Sequence, residues 1–214
     1  MNKTFFLLLV ITTLFFVACD KDEQTNDHSF VVVLEATNLN ISGILNTNVD
    51  VTTIKAVLSA IKQDSNGKLY FVDTEITSTN FKDGGFKLNF PETLPNEYLG
   101  SMYELFNIFS YEGITVSDIQ SKTGNVWIYA YDNAGNYVGN FRFVSDGWYT
   151  QFMFTDRSFT VKGNFRGGSA VDCFYHKGLN IEYVIWGGNT KSTTNKPLNE
   201  SFRWILEPPP SVGV

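Results

Sequence analysis

The chain alternates short apolar runs with turn-forming residues, a pattern typical of β-strands joined by tight turns. Between Thr53 and Gln63, every second residue from Ile54 to Ala60 is apolar, which predicts a strand with one face on a core. The segment Asp64–Gly67 follows at once. Since Asn and Gly tolerate the positive φ of a tight hairpin, we expect a turn there and a returning strand after it.

The same pattern dominates the second half of the chain. The predicted strands there are Val126–Tyr131, Tyr137–Val144, Trp148–Thr155, Phe159–Phe165, Val171–Tyr175, Asn180–Trp186 and Ser201–Glu207. One stretch differs, because apolar residues between Tyr98 and Phe109 recur at helical spacing. We therefore predict an all-β fold, either an antiparallel β-sandwich or an open barrel, with one short helix near 97–109 as a lid.

The first residues of the chain have the pattern of a signal peptide. Lys3 precedes an apolar run, Phe5–Val17, that is shorter than the roughly 20 residues of a membrane-spanning helix. Phe16 stands where an ordinary secretory signal has a small residue. Lipoprotein signal peptidase accepts a large apolar residue there and requires Cys directly after the cut, where Cys19 stands. We expect removal of residues 1–18 and lipidation of Cys19, with ordinary secretion or an uncleaved anchor as alternatives.

The remainder divides by composition into three parts. Residues 19–29 are polar and without apolar periodicity, which predicts a flexible tether. Residues 30–207 carry the strand pattern and form the predicted β-sandwich domain, with a two-part split near 95–120 left open. The prolines from Pro208 onward end the last strand, so residues 208–214 are expected to be a disordered tail.

The leader and several later segments resemble known bacterial lipoproteins. A lipidated Cys followed directly by an acidic stretch with a Lys, here Asp20–Glu23, is similar to the lipoproteins of the Bacteroidetes. The segments Gly84–Pro91, Tyr137–Phe143 and Lys177–Tyr183 resemble uncharacterised lipoproteins of these bacteria. The resemblance implies a β fold and an outer-membrane lipoprotein exposed at the cell surface, with the membrane as its partner through the lipid on Cys19. It implies no activity.

Charge and cysteine content narrow the function classes. The formal net charge is −6, and removing the leader, which holds Lys3 and no acid, changes it to −7. This balance weighs against a nucleic-acid partner, which needs basic patches. Cys19 and Cys173 are the two cysteines of the chain. With Cys19 lipidated, Cys173 has no disulfide partner within the chain and a four-Cys metal site is excluded, so no cofactor is expected.

Few residues offer reaction chemistry. His28 lies in the tether, and His176 stands three positions after Cys173, which places them on opposite faces of a continuous strand. Glycoside hydrolysis needs only two carboxylates in a cleft, and sequence spacing does not select a pair. The candidates include Asp146, Asp156 and Glu182. No catalytic residue is assigned, and the sequence leaves enzymatic activity open while favouring a non-catalytic role.

Aromatic residues are the feature of the sequence that points to a binding surface. Trp127, Tyr129 and Tyr131 share one face of their predicted strand, while aliphatic residues share the other. Trp148 and Trp186 stand at strand ends, where binding loops gather. These five residues are either a second core layer, the common fate of large aromatics, or a ligand surface, because sugars stack on flat aromatic rings.

The function predicted from the sequence is a surface-anchored lipoprotein that serves as a non-catalytic binding or envelope-associated module. Its ligand is expected to be a glycan or a protein. One alternative is a carbohydrate-active enzyme with a carboxylate pair. Another is a subunit of a fimbria-like assembly.

Overall fold

A computed structural model describes residues 30–31, 33–37, 39, 50–104, 113–164, 169–185 and 190–209. Residues 1–29, with the predicted leader, the lipidation site and the tether, lie outside this range, as do residues 210–214. The strands in the described part are β1 (Phe30–Val31), β2 (Val33–Ala36), β3 (Thr53–Gln63), β4 (Leu69–Asn80), β5 (Phe86–Asn89), β6 (Gly100–Ser101), β7 (Ile114–Val116), β8 (Lys122–Tyr131), β9 (Tyr137–Ser145), β10 (Trp148–Thr155), β11 (Phe159–Asn164), β12 (Ala170–Tyr175), β13 (Gly178–Ile185), β14 (Lys191–Thr193) and β15 (Arg203–Glu207).

The strands form a large sheet and a small one. The large sheet has the order β4-β3-β8-β9-β10-β13-β14-β12-β11-β7, with β1 paired to β13, β15 to β9 and β6 to β8. The small sheet pairs β2 with β5. The predicted all-β class is confirmed, and the large sheet is not closed into a barrel. Within the described strands, the pair β12–β14 is parallel and the other pairs are antiparallel, so the large sheet is mixed.

The main core lies between the two sheets. Leu34 and Leu88 of the small sheet belong to one buried cluster with Ile54, Leu58 and Ile128 of the large sheet. The period-2 pattern accounts for this packing, because alternate residues of each strand point to the same side. The small sheet therefore covers one face of the large sheet, as expected for a sandwich.

A second, smaller core lies on the opposite face of β10. Met153, which alternates with the core-facing Phe152 and Phe154, packs against a cluster contributed largely by β11 and β12. The buried members are Met102, Phe159, Val161, Val171, Cys173 and Tyr175. The β7–β11–β12 end of the large sheet therefore packs over this part of β10 and leaves the rest of that face to solvent.

The predicted turn at Asp64–Gly67 is confirmed, and an aspartate organises both this turn and the one between β8 and β9. Asp64 Oδ1 accepts the N–H groups of Asn66 and Lys68, both at 2.8 Å, between β3 and β4. Asp132 Oδ1 accepts those of Ala134 and Asn136 between β8 and β9. Such aspartate turns hold the chain reversal and so set the register of the strands that follow.

The predicted helix begins later than expected. Instead of helix from Glu97, residues 96–98 form a turn, β6 pairs with β8, and helical residues start at Met102. Lys62 Nζ donates to the carbonyl oxygens of Glu97 and Leu99 at 2.7 and 2.6 Å, so these carbonyls are bound by an ammonium group instead of helix N–H groups. The remainder of the predicted helix, 105–109, lies outside the described residues. Among the helices that are described, none has the length and apolarity of a membrane span.

Candidate ligand-binding face

The candidate site lies at a fork between three strands. β8 pairs with β10 through Thr123–Val126 and with β9 through Ile128–Tyr131. The hairpin partners β9 and β10 pair with each other beside their turn, at Val144–Ser145. They then separate, and Thr150 Oγ1 donates to Phe143 O at 2.8 Å across the gap. We call this opening the strand fork.

The strand fork opens as a groove on the solvent side of the large sheet. Its volume is about 420 Å³, within the range of about 300–1,000 Å³ that small-molecule sites occupy. The side chains that alternation places on the solvent side are Asn125, Trp127, Asn140, Arg142, Tyr149 and Gln151. The residues beneath them are Val126, Ile128, Phe141, Thr150 and Phe152. The groove thus combines an apolar floor with a rim of aromatic and hydrogen-bonding groups.

Trp127 stands at the point where β8 changes partner. Its side chain is 38% exposed, while the flanking Val126 and Ile128 are 4% and 1% exposed. Tyr129 and Tyr131 follow on the same face and are half-buried. These three predicted residues therefore line an accessible face rather than a second core layer.

A tyrosine cluster continues this face beside Trp127. The rings of Tyr129 and Tyr137 meet edge to face at 5.4 Å, and those of Tyr131 and Tyr137 at 6.1 Å. Lys55 Nζ lies 5.1 Å from the Tyr131 ring centroid and 2.9 Å from Glu75 Oε2. Tyr137, which is 44% exposed, was missed as a candidate. The hairpin that follows Tyr131 pairs Tyr131 with Tyr137. The sequence signal for Tyr137 was therefore the short turn between the two tyrosines.

The structure places Trp148 away from this face. Trp148 alternates with Tyr149 and so shares the inner side of β10 with Thr150 and Phe152, where it packs partly buried against the main core. Trp148 and Trp127 therefore face opposite sides of the sheet, which is the core alternative for Trp148. Trp186 lies outside the described residues.

The polar groups of the groove differ in how well they are satisfied. Asn140 Oδ1 is buried and has no hydrogen-bond partner within the described part of the chain. Arg142 Nε lies 2.6 Å from Glu207 Oε2, so the guanidinium is charge-paired with a carboxylate, although the angle at Nε–H does not make this contact a hydrogen bond. Burial raises the pKa of Tyr149, whose hydroxyl is also hydrogen-bonded to Gln151. The groove therefore holds one unsatisfied acceptor and keeps its phenol neutral at physiological pH.

The three candidate carboxylates lie at different points along the length of β10, at that strand's ends and on its neighbour β13, rather than opposite one another. Asp146 is exposed in the turn before β10, and Asp156 follows its far end, where it accepts the N–H of Lys122 at 2.8 Å. Glu182 pairs in register with Gln151 near the middle of that strand. These three residues therefore do not form the facing pair that a glycosidase needs.

Glu182 is instead part of a buried cluster beneath the second core. Tyr175 Oη donates to Glu182 Oε2 at 3.0 Å, and Ser192 is hydrogen-bonded to the same carboxyl group. Burial raises the pKa of Glu182 and also that of the Cys173 thiol. A thiol whose ionisation is suppressed in this way is a poor nucleophile and behaves as a core residue.

His176 occupies a structural position at the end of β12. Its backbone N–H donates to Asn180 Oδ1 at 2.8 Å, its carbonyl accepts the Thr155 hydroxyl, and its ring packs edge to face on Phe174. In the described ranges, no three His, Cys, Asp or Glu side chains form a group that could hold a metal ion.

We compared the chain with protein-family models, curated proteins and solved structures, and none matched.

Proposed function

We propose that this chain is a lipoprotein anchored through Cys19, whose β domain is a non-catalytic binding module. Its site is the accessible face formed by β8, β9 and β10 around the strand fork. Export to the outer face of the outer membrane is part of this proposal. It rests on the lipoprotein cleavage sequence that ends at Cys19 and on the acidic stretch Asp20–Glu23 after it.

One observation supports the binding role above the others. Trp127 is exposed beside a groove, although its two neighbours along β8, Val126 and Ile128, are buried in the core. Large aromatics at the edge of a concave, partly apolar site are frequent anchors of binding, since they give up much water-exposed area at little entropic cost. The tyrosines beside Trp127 extend the same surface.

We expect Trp127→Ala to weaken ligand binding by about 30-fold, since an aromatic anchor is worth about 2 kcal/mol. The test is an array of immobilised oligosaccharides and peptides probed with the full-length protein in detergent micelles. Tyr98→Ala is the matched control, because Tyr98 is 36% exposed but lies outside the groove. Equal binding by wild type and Trp127→Ala would contradict the assignment of this face.

We expect Cys19→Ala to abolish lipid attachment and to leave the leader uncut, because the peptidase requires the modified cysteine. Metabolic labelling with a tagged palmitate in the native host measures the first effect, and the mass of the purified chain measures the second. Protease treatment of intact cells then tests orientation. A domain that survives while a known surface protein is digested contradicts outward exposure.

A further inference from the structure

We infer that the strand fork and the adjoining tyrosines bind a neutral oligosaccharide. This inference rests on the proposed binding function and specifies its ligand class. It follows from the exposed ring of Trp127, the unsatisfied acceptor Asn140 Oδ1, the ion pairs beside the groove and the length of the face.

The groove favours a ligand that combines a flat apolar face with a hydrogen-bond donor. Trp127 offers the partly exposed surface of an indole ring, which favours contact with a flat apolar group. Asn140 Oδ1 is buried without a partner in the described residues, and an unsatisfied buried acceptor is costly. A purely apolar ligand would leave this acceptor unsatisfied. A sugar ring supplies C–H groups for the indole and a hydroxyl that donates to Asn140.

The charges around the groove disfavour an anionic ligand. Arg142 is paired with Glu207 at 2.6 Å, and Lys55 with Glu75 at 2.9 Å. The chain as a whole carries a formal charge of −6, so acidic polymers are repelled at long range. The amide groups of Asn125 and Gln151 remain as neutral hydrogen-bonding groups at the rim.

The face is longer than a single sugar ring. From Trp127 to Tyr131, β8 advances by four residue-to-residue steps, or about 13 Å at roughly 3.3 Å per step. Tyr137, 44% exposed, lies at the far end of this row. A chain of several sugar units therefore contacts Trp127 in the groove and the tyrosines beyond it, so affinity should rise with chain length.

The phenol groups of this face stay protonated at physiological pH. Burial raises the pKa of Tyr129 and of Tyr137, and neighbouring tyrosines raise both further. These hydroxyls therefore act as neutral hydrogen-bond donors toward a sugar, and the site gains no negative charge between pH 6 and pH 9.

The test is isothermal titration of the full-length protein in detergent micelles with defined oligosaccharides. The probes are the hexaoses of cellulose, xylan, mannan and amylose, their disaccharides, hexagalacturonic acid as the charged comparison and an unrelated hexapeptide. We expect at least one neutral hexaose to bind at least about 10-fold more tightly than its disaccharide and than hexagalacturonic acid, because the face is extended and uncharged.

Asn140 variants test the acceptor directly. Asn140→Leu should weaken binding of the neutral hexaose by about 5-fold through loss of one hydrogen bond, whereas Asn140→Asp keeps an acceptor oxygen and should retain most of the affinity. Circular dichroism of each variant checks that the fold is unchanged. If Asn140→Leu folds and binds like wild type, the inferred hydroxyl contact is wrong.

The outcomes separate this inference from the proposed function. If the acidic oligosaccharide or the peptide binds through Trp127 while no neutral hexaose does, the saccharide inference is overturned and the binding module stands. If no probe here or on the array binds in a Trp127-dependent manner, both are overturned. Binding of a neutral hexaose that Trp127→Ala abolishes and Tyr98→Ala preserves supports both.

Discussion

Trp204→Ala is expected to lower the free energy of unfolding by about 3 kcal/mol, the lower end of the range for truncating a large core aromatic, because Trp204 is half-buried against the core. The indole of Trp204 contacts Phe86, Phe143 and Phe152 at ring centroid distances of 5.3, 5.1 and 5.8 Å. Its Nε1–H donates to Glu35 O at 3.0 Å. One side chain on β15 therefore connects β2 and β5 of the small sheet with β9 and β10 of the large one.

Urea denaturation of the chain from residue 19 onward, followed by circular dichroism, measures this effect. Trp204→Phe keeps ring contacts and loses the hydrogen bond to Glu35, so it should cost less than Trp204→Ala. Trp127→Ala is the control for a more exposed tryptophan and should cost under about 1.5 kcal/mol, since Trp127 is 38% exposed and lies on the solvent side of the sheet. Similar losses for Trp204→Ala and Trp127→Ala would contradict the role of Trp204 between the sheets.

The second large effect is a change in the pH dependence of stability on replacing Glu182. Burial raises the pKa of this carboxyl group above its ordinary value of 4.5. The folded protein therefore holds a proton that the unfolded chain releases, so this contribution to stability is complete below about pH 4.5 and is lost as pH rises through the folded-state pKa. Glu182→Gln removes the titrating carboxyl group, while the amide oxygen of the glutamine can still accept the hydrogen bond from Tyr175 Oη.

We expect Glu182→Gln to be more stable than wild type at pH 8 and to lose this advantage as pH falls toward 4. Urea denaturation at several pH values gives the difference between the two proteins, in which the other titrating groups cancel. Glu92→Gln is the control, because Glu92 is exposed and its replacement should leave the pH profile unchanged. Parallel profiles for Glu182→Gln and wild type would contradict a raised pKa of Glu182 in the folded protein.

Local pattern was sufficient to predict many of the strands and to place the aromatic and the aliphatic residues of β8 on opposite faces. Alternation along β8 places Val126, Ile128 and Ala130 in the core and Trp127 on the other side, and the burial of each follows this period. The aspartate turns were predictable for the same reason, since their hydrogen bonds are formed within a few residues of Asp64 and Asp132. Information of this kind lies within a single strand or hairpin.

The groove could not be predicted, because it depends on which strands pair. Nothing within β8 indicates that it leaves β10 after Val126 and joins β9 at Ile128. Asn140 and Arg142 become site residues only through that change of partner. The same applies to Trp148, since local position at a strand end did not reveal that its side chain packs on the core.

The late start of the helix has a comparable cause. The residues from Glu97 to Leu99 have helical spacing, but Lys62 from the distant β3 binds two of their carbonyl groups. Gly100 then lies against the backbone of Ile61, where a Cβ atom would collide with its carbonyl oxygen. Tertiary contacts therefore override a local helical pattern at this point.

The most direct test of the binding face is an NMR titration of the tryptophan indole N–H signals. The chain has four tryptophans, and each signal is assigned by a Trp→Phe variant. On addition of the tightest-binding probe, the signal of Trp127 should shift strongly, while those of Trp148 and Trp204, which pack against the core, should stay in place. A bound probe that leaves the Trp127 signal unchanged would contradict the assignment of the ligand site to the strand fork.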